Sequence, residues 1–126
     1  MLKPVNIEER KPVWIALSDF YLDTELQDFN FQYIVKTILE SPYSFDDVKT
    51  INIYEVFPVL QPNLLQAAGE WAGFNEKWLL EAITDYLKTK TVSDNAMIST
   101  NYKKYAWMQE DYWQKLESIY NEMQEK

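Results

Sequence analysis

Apolar residues recur at spacings of three and four along most of this 126-residue sequence, and glycine occurs only twice. That spacing gathers apolar side chains on one face of a helix, whereas a half-buried strand needs strict alternation. So little glycine also argues against the many tight turns of a β-sandwich. We therefore expect an all-α protein: a compact, single-domain bundle of five or six helices with a long C-terminal helix.

The helix boundaries follow from the apolar stripes and from prolines that begin or end them. The predicted helices cover 12 to 22–24, 28–40, 45–57, 62–68, 76 to 88–90, and 101–124. Residues 91–100 are polar and have little periodicity, so we expect a linker there. The whole chain, 1–126, is read as one helical domain because its length suits a single core.

Residues 45–57 are compatible with two structures. Apolar residues three apart, from Val48 to Phe57, favour a helix, and Ser44 with Asp47 resembles a capping box. The middle of the same stretch has high β propensity, so a short strand pair near 50–60 is the alternative. We expect the helix because of the cap and because no convincing pairing strand is found.

The apolar stripes also predict the core. Its expected members are the largest residues on the inward faces of the helices: Trp14, Leu17, Ile34, Ile38, Leu65, Trp71, Trp78 and Ile83.

Histidine and cysteine are both absent, which removes many kinds of chemistry. The chain has no Ser-His-Asp triad, thiolate nucleophile, disulfide or zinc finger. An enzyme would have to use Asp, Glu, Tyr and Lys alone, with or without a bound metal. We expect no catalytic activity and no cofactor.

The formal net charge is −8, and Arg10 is the single arginine. A nucleic-acid-binding face needs clustered Lys and Arg, so we expect no nucleic acid partner. A basic protein partner would suit the negative net charge. The plainer explanation of that charge is that it keeps the protein soluble. No signal peptide and no membrane span is found in the sequence, so we expect a cytoplasmic protein with no membrane partner.

Four ordered blocks resemble a known family. They are RKPVWIALSDFYLDTE from Arg10, SPYS from Ser41, EVFPVLQPNLL from Glu55, and AGEWAGF from Ala68 followed by Trp78-Leu79. Together they are similar to small bacterial proteins of the DUF7079 type, a domain of unknown function, over about 8–88. The resemblance implies a mostly helical bacterial protein and transfers no site. The segment after about residue 90 is not part of it.

The densest acidic group lies between the first two predicted helices. It consists of Asp19, Asp23, Glu25 and Asp28, and we expect Asp19 and Asp23 to project together. A solvated helix end, an acidic patch for a protein partner, and a Mg²⁺ or Ca²⁺ site are the three interpretations. The second choice for partner binding is Asp46 with Asp47.

Glu70 lies between the two glycines and beside a tryptophan. A partly buried carboxylate there could act as an acid or base, but a structural role in the turn is the favoured interpretation.

The C-terminal segment carries more aromatic rings than one helical face can bury. We expect its regular stripe to pack on the domain and Trp107 or Trp113 to remain accessible to a partner. A homodimer through this helix is one use of such an exposed ring.

These observations favour a non-catalytic acidic protein that neutralises a basic partner, most concretely an immunity protein blocking a bacterial toxin domain such as a nuclease. The alternatives are an inhibitor of a phage-defence nuclease and a self-associating structural or regulatory domain. An enzyme is the least favoured.

Overall fold

The computed structural model describes residues 6–21, 26–64 and 76–124. Within them, 3-10 turns at Asp19–Tyr21 and Ala106–Met108 follow the first and sixth helices, and a π turn at Asn52–Val56 joins the third helix to the fourth. The helices are α1 (Ile7–Ser18), α2 (Asp28–Glu40), α3 (Phe45–Ile51), α4 (Phe57–Leu64), α5 (Glu76–Thr89), α6 (Val92–Tyr105) and α7 (Glu110–Gln124).

The all-α prediction is confirmed, since no strand occurs in the described ranges. From Phe45 to Leu64 the chain is continuously helical, so these ranges contain six helical stretches. The expected helix over 45–57 is present, and its capping box is formed. Ser44 Oγ accepts the Asp47 N–H at 3.1 Å, and the Asp47 carboxylate accepts the Ser44 N–H at 3.1 Å.

The segment 91–100 is not a linker, contrary to the sequence prediction, because α6 begins at Val92. A second capping box explains the start of this helix: the Asp94 carboxylate accepts the Thr91 N–H at 2.8 Å. Ile98, 8% exposed, then anchors the helix in the core. The polar residues around Ile98 give too weak a periodic signal to reveal the start of this helix from sequence.

The predicted long C-terminal helix is present as α7, but it begins at Glu110 and not at residue 101. After α6 the chain makes the 3-10 turn, and the Gln109 N–H donates to the Ala106 carbonyl at 3.0 Å. Gln109 is 1% exposed, and its side chain accepts a hydrogen bond from Asn52. A buried polar residue therefore sets the break between α6 and α7, with neither proline nor glycine to mark it.

The core lies where α1 packs against α2 and α5, with α7 packed along α2. Five of the predicted core residues are buried: Trp14, Leu17, Ile34, Ile38 and Ile83. Leu65 and Trp71 lie outside the described residues. None of the described helices is both long and apolar enough to cross a membrane.

Trp78 is not a core residue, contrary to prediction, because it is 51% exposed. Leu79 and Ile83 are the buried residues of α5 and lie one turn apart on its inward face. Trp78 precedes Leu79 by one residue, which rotates it about 100° around the helix.

The two C-terminal tryptophans have opposite environments. Trp107 is 71% exposed, whereas Trp113 is 7% exposed, so the accessible ring of the expected pair is Trp107 and not Trp113. The Trp113 ring packs nearly perpendicular to Phe20 at a centroid distance of 5.1 Å and to Phe45 at 5.8 Å. Trp113 therefore joins α7 to the core.

We expect Trp113→Ala to lower the free energy of unfolding by about 3–5 kcal/mol, because it leaves a large cavity. Trp107→Ala is the matched control and should change stability by no more than about 0.5 kcal/mol. Urea unfolding measures both. Equal losses for the two variants would contradict the burial difference.

Candidate partner-binding surface

A buried ion pair connects α1 to the π turn. Arg10 is 1% exposed, and its guanidinium donates to Glu55, which is 5% exposed. Trp14 Nε1 donates to the other oxygen of Glu55 at 2.8 Å, and Arg10 Nε donates to the Tyr43 hydroxyl at 2.9 Å. Burial alone would lower the pKa of Arg10, but the hydrogen bond and charge of Glu55, with those of Tyr43, raise it.

A second buried chain of hydrogen bonds starts from the same π turn. The Tyr21 hydroxyl donates to Asn52 Oδ1 at 2.6 Å, and Asn52 Nδ2 donates to Gln109 Oε1 at 3.2 Å. Burial raises the pKa of Tyr21 far above its ordinary value, so the phenol remains a donor. The π turn is thereby linked to the break before α7.

The end of α5 reaches the π turn through Lys90. Its Nζ donates to the Tyr54 carbonyl at 3.1 Å and lies 5.7 Å from the centre of the Tyr54 ring. Burial lowers the pKa of Lys90, and the negative charges of Glu55 and Asp94 offset part of that effect. The polar groups around the π turn bind one another, which indicates a structural role.

We expect Glu55→Gln to lower the free energy of unfolding by about 3–5 kcal/mol, because the buried Arg10 charge loses its counterion. Glu8→Gln is the control, since Glu8 forms an exposed pair with Lys11 and such pairs contribute about 0–1 kcal/mol. Thermal and urea unfolding report both. A loss for Glu55→Gln no larger than that of the control would show the pair to be dispensable.

The structure places the members of the first acidic group differently. Asp19 is half-buried at the end of α1, and Asp28 is exposed. Lys115 Nζ lies 2.6 Å from Asp28 Oδ1, so this carboxylate is neutralised locally by α7. Asp23 and Glu25 lie outside the described residues, as does Glu70.

Burial raises the pKa of Asp19 above its ordinary value of 3.8. Folding therefore disfavours the charged form, and the stability of the protein falls as the pH rises through the raised pKa. We expect Asp19→Asn to be more stable than the natural protein at neutral pH, with the difference shrinking as the pH falls toward 3.8.

Urea unfolding at a series of pH values measures this difference. Asp19→Glu keeps an ionisable group and should retain the pH dependence. A constant difference between Asp19→Asn and the natural protein at every pH would contradict the burial account.

Asp46 and Asp47, the second predicted partner-binding pair, have different roles. The Asp47 carboxylate caps α3, as described above. Asp46 is exposed and lines a pocket of about 220 Å³ with Glu117 and Tyr120 of α7. The fold therefore brings a predicted site residue next to an acidic residue of the C-terminal helix.

A larger pocket of about 510 Å³ adjoins the first and shares Glu117 with it. Trp113, Glu110 and Lys49 also line it. We call the two pockets together the acidic groove, defined by Asp46, Glu110, Glu117, Trp113 and Tyr120. Its three carboxylates exceed its one lysine, and its walls are aromatic.

Sequence reasoning missed Glu110 and Glu117. They are seven residues apart, which places them on one face of α7, and that spacing was the only available signal. The approach of Glu117 to Asp46 depends on tertiary packing of α7 beside α3.

A third cleft, of about 650 Å³, lies between α4, α5 and α6. Its lining is mainly apolar, with Phe57, Tyr86 and Met97, and Lys104 supplies a cation. Among residues 6–21, 26–64 and 76–124, no three acidic side chains converge in a way that could hold a metal ion.

Comparison with known protein families gives a match over most of the chain. The sequence profile of a domain of unknown function, DUF7079, matches residues 8–119. The match includes the expected region 8–88 and continues through α6 into α7, so the boundary expected at residue 88 is wrong. The aromatic C-terminal segment is part of the family domain. No curated protein and no solved structure matches the chain.

Proposed function

We propose that this chain, which belongs to the family of the domain of unknown function DUF7079, is a non-catalytic acidic protein that neutralises a basic protein partner. The most concrete form is a cytoplasmic immunity protein that occludes a bacterial toxin domain. A nuclease is the favoured kind of toxin, because a protein that binds nucleic acid carries the complementary positive charge.

The observation that carries this proposal is the acidic groove. It combines carboxylates at its rim with aromatic walls, and tight interfaces use both features. Charged rims accelerate association with an oppositely charged partner, while desolvated aromatic centres slow dissociation. The net charge of −8 adds a negative electrostatic field around the whole protein, which attracts a basic partner from beyond the groove.

Trp107 supports an extended contact surface. It is 71% exposed and precedes Glu110, a rim residue of the groove, by three positions. Exposed tryptophans are enriched among residues that dominate binding energy. The same exposure is the observation that favours the second candidate, self-association through the C-terminal region.

Two features support a binding role over catalysis. The sequence has neither histidine nor cysteine. The buried ionisable pair, Arg10 with Glu55, is engaged by Trp14 and Tyr43 within the core. Blocking a partner by occlusion requires only a complementary surface.

Charge reversal in the groove tests the proposal. We expect Glu110→Lys with Glu117→Lys to slow association with the basic partner by at least about tenfold at low salt, because steering is lost. The control is Glu76→Lys with Glu81→Lys, two exposed residues of α5 that give the same change in net charge. Stopped-flow association at two ionic strengths, with a copurifying basic protein, makes the measurement.

High salt should bring the rates of the groove variant and the natural protein together. Coexpression should then show whether the natural protein, but not the groove variant, protects cells from the partner's toxicity. A neutral or acidic partner, or equal effects of the groove and control reversals, would refute the electrostatic account.

A further inference from the structure

We propose that the Trp113 pocket of the acidic groove receives an arginine side chain of the basic partner, and that Lys49 occupies this place in the free protein. The inference rests on the proposed function, since it names the group that the groove recognises.

The side chains that line the pocket suit a bound cation. Glu110, Gln114 and Glu117 line it from α7, at positions i, i+4 and i+7 of one helix face. Neither glutamate forms an ion pair within the described part of the chain. A volume of about 510 Å³ accommodates the end of a long side chain.

A cation of the chain itself already lies against the aromatic wall. Lys49 extends from α3, and its Nζ lies 5.9 Å from the centre of the Trp113 ring and 5.8 Å from that of Phe45. Both distances fall within the range of attraction between a cation and a ring face. In the free molecule, a positive charge therefore lies beside the aromatic residues of the pocket.

Lys49 is held only weakly in the Trp113 pocket. It is exposed, and it makes no ion pair with a described carboxylate. Its ammonium is compact and strongly hydrated, so a partner can displace it into solvent at small cost.

Arginine suits the pocket better than lysine. Its guanidinium is planar and less strongly hydrated, stacks on aromatic faces, and donates in a fork that matches carboxylates. A guanidinium that contacts the exposed part of the Trp113 ring, which is 7% exposed, can direct its donors to Glu110 and Glu117 together. Two carboxylates and the exposed part of one ring thus contact a single side chain.

The test uses N-acetyl-arginine methylamide as the probe and its neutral isostere, N-acetyl-citrulline methylamide, as the control. Binding is followed by the NMR signal of the Trp113 indole N–H. We expect a saturable shift with the arginine compound and none with the citrulline compound. The Trp107 indole signal should not move.

Variants identify the groups responsible. Lys49→Gln should tighten binding of the arginine compound several-fold, because the competing cation is gone. Glu110→Gln with Glu117→Gln should abolish the shift, while Glu122→Gln, an exposed α7 glutamate outside the pocket, should preserve it. Circular dichroism checks that each variant is folded.

Absence of a saturable shift at Trp113, equal shifts with both compounds, or weaker binding by Lys49→Gln would overturn this assignment. These outcomes are distinct from failure of the proposed function. Arginine binding at Trp113 without any basic partner would refute the proposed function only, and a steered basic partner without arginine binding would refute the pocket only.

Discussion

The buried Glu55 carboxylate is the interaction on which the arrangement of the helices depends. A charge removed from water is tolerated only when it is paired and fully hydrogen-bonded. Arg10 and Trp14 meet that requirement from α1, which fixes α1 against the π turn. Two further hydrogen bonds tie the same turn to other parts of the chain. Asn52 donates to Gln109 before α7, and Lys90 at the end of α5 donates to the Tyr54 carbonyl. One irregular turn therefore orients most of the chain.

The helical fold was predictable because local chemistry specifies it. Three-four spacing and the Ser44 cap identified α3 in spite of its high β propensity. The sequence places Trp78 in the wrong environment and does not decide which of Trp107 and Trp113 is exposed, because a one-residue offset rotates a side chain by about 100°. Two neighbouring apolar residues can then exchange roles, and only packing against other helices decides which one is buried. The Gln109 break was hidden for a similar reason, since its partner Asn52 is 57 residues away.

The groove was predictable only in part. Asp46 was identified from its place in a short acidic pair, and its exposure is a local property of the first turn of α3. Glu110 and Glu117 share a helix face by spacing alone. No sequence pattern indicated that this face lies beside α3, because that proximity depends on how the aromatic side of α7 packs against Phe20 and Phe45.

The burial of Arg10 also affects how molecules of this protein meet one another. It is the one guanidinium of the sequence, and it is enclosed in the core. A neighbouring copy can present lysines to the acidic groove but no arginine. If the proposed pocket binds arginine, Lys49 is its occupant in the free protein, and no neighbouring copy offers an exposed guanidinium to displace it. Under the proposed function, the arginine that joins α1 to the π turn is thereby kept from competing with an arginine of the partner.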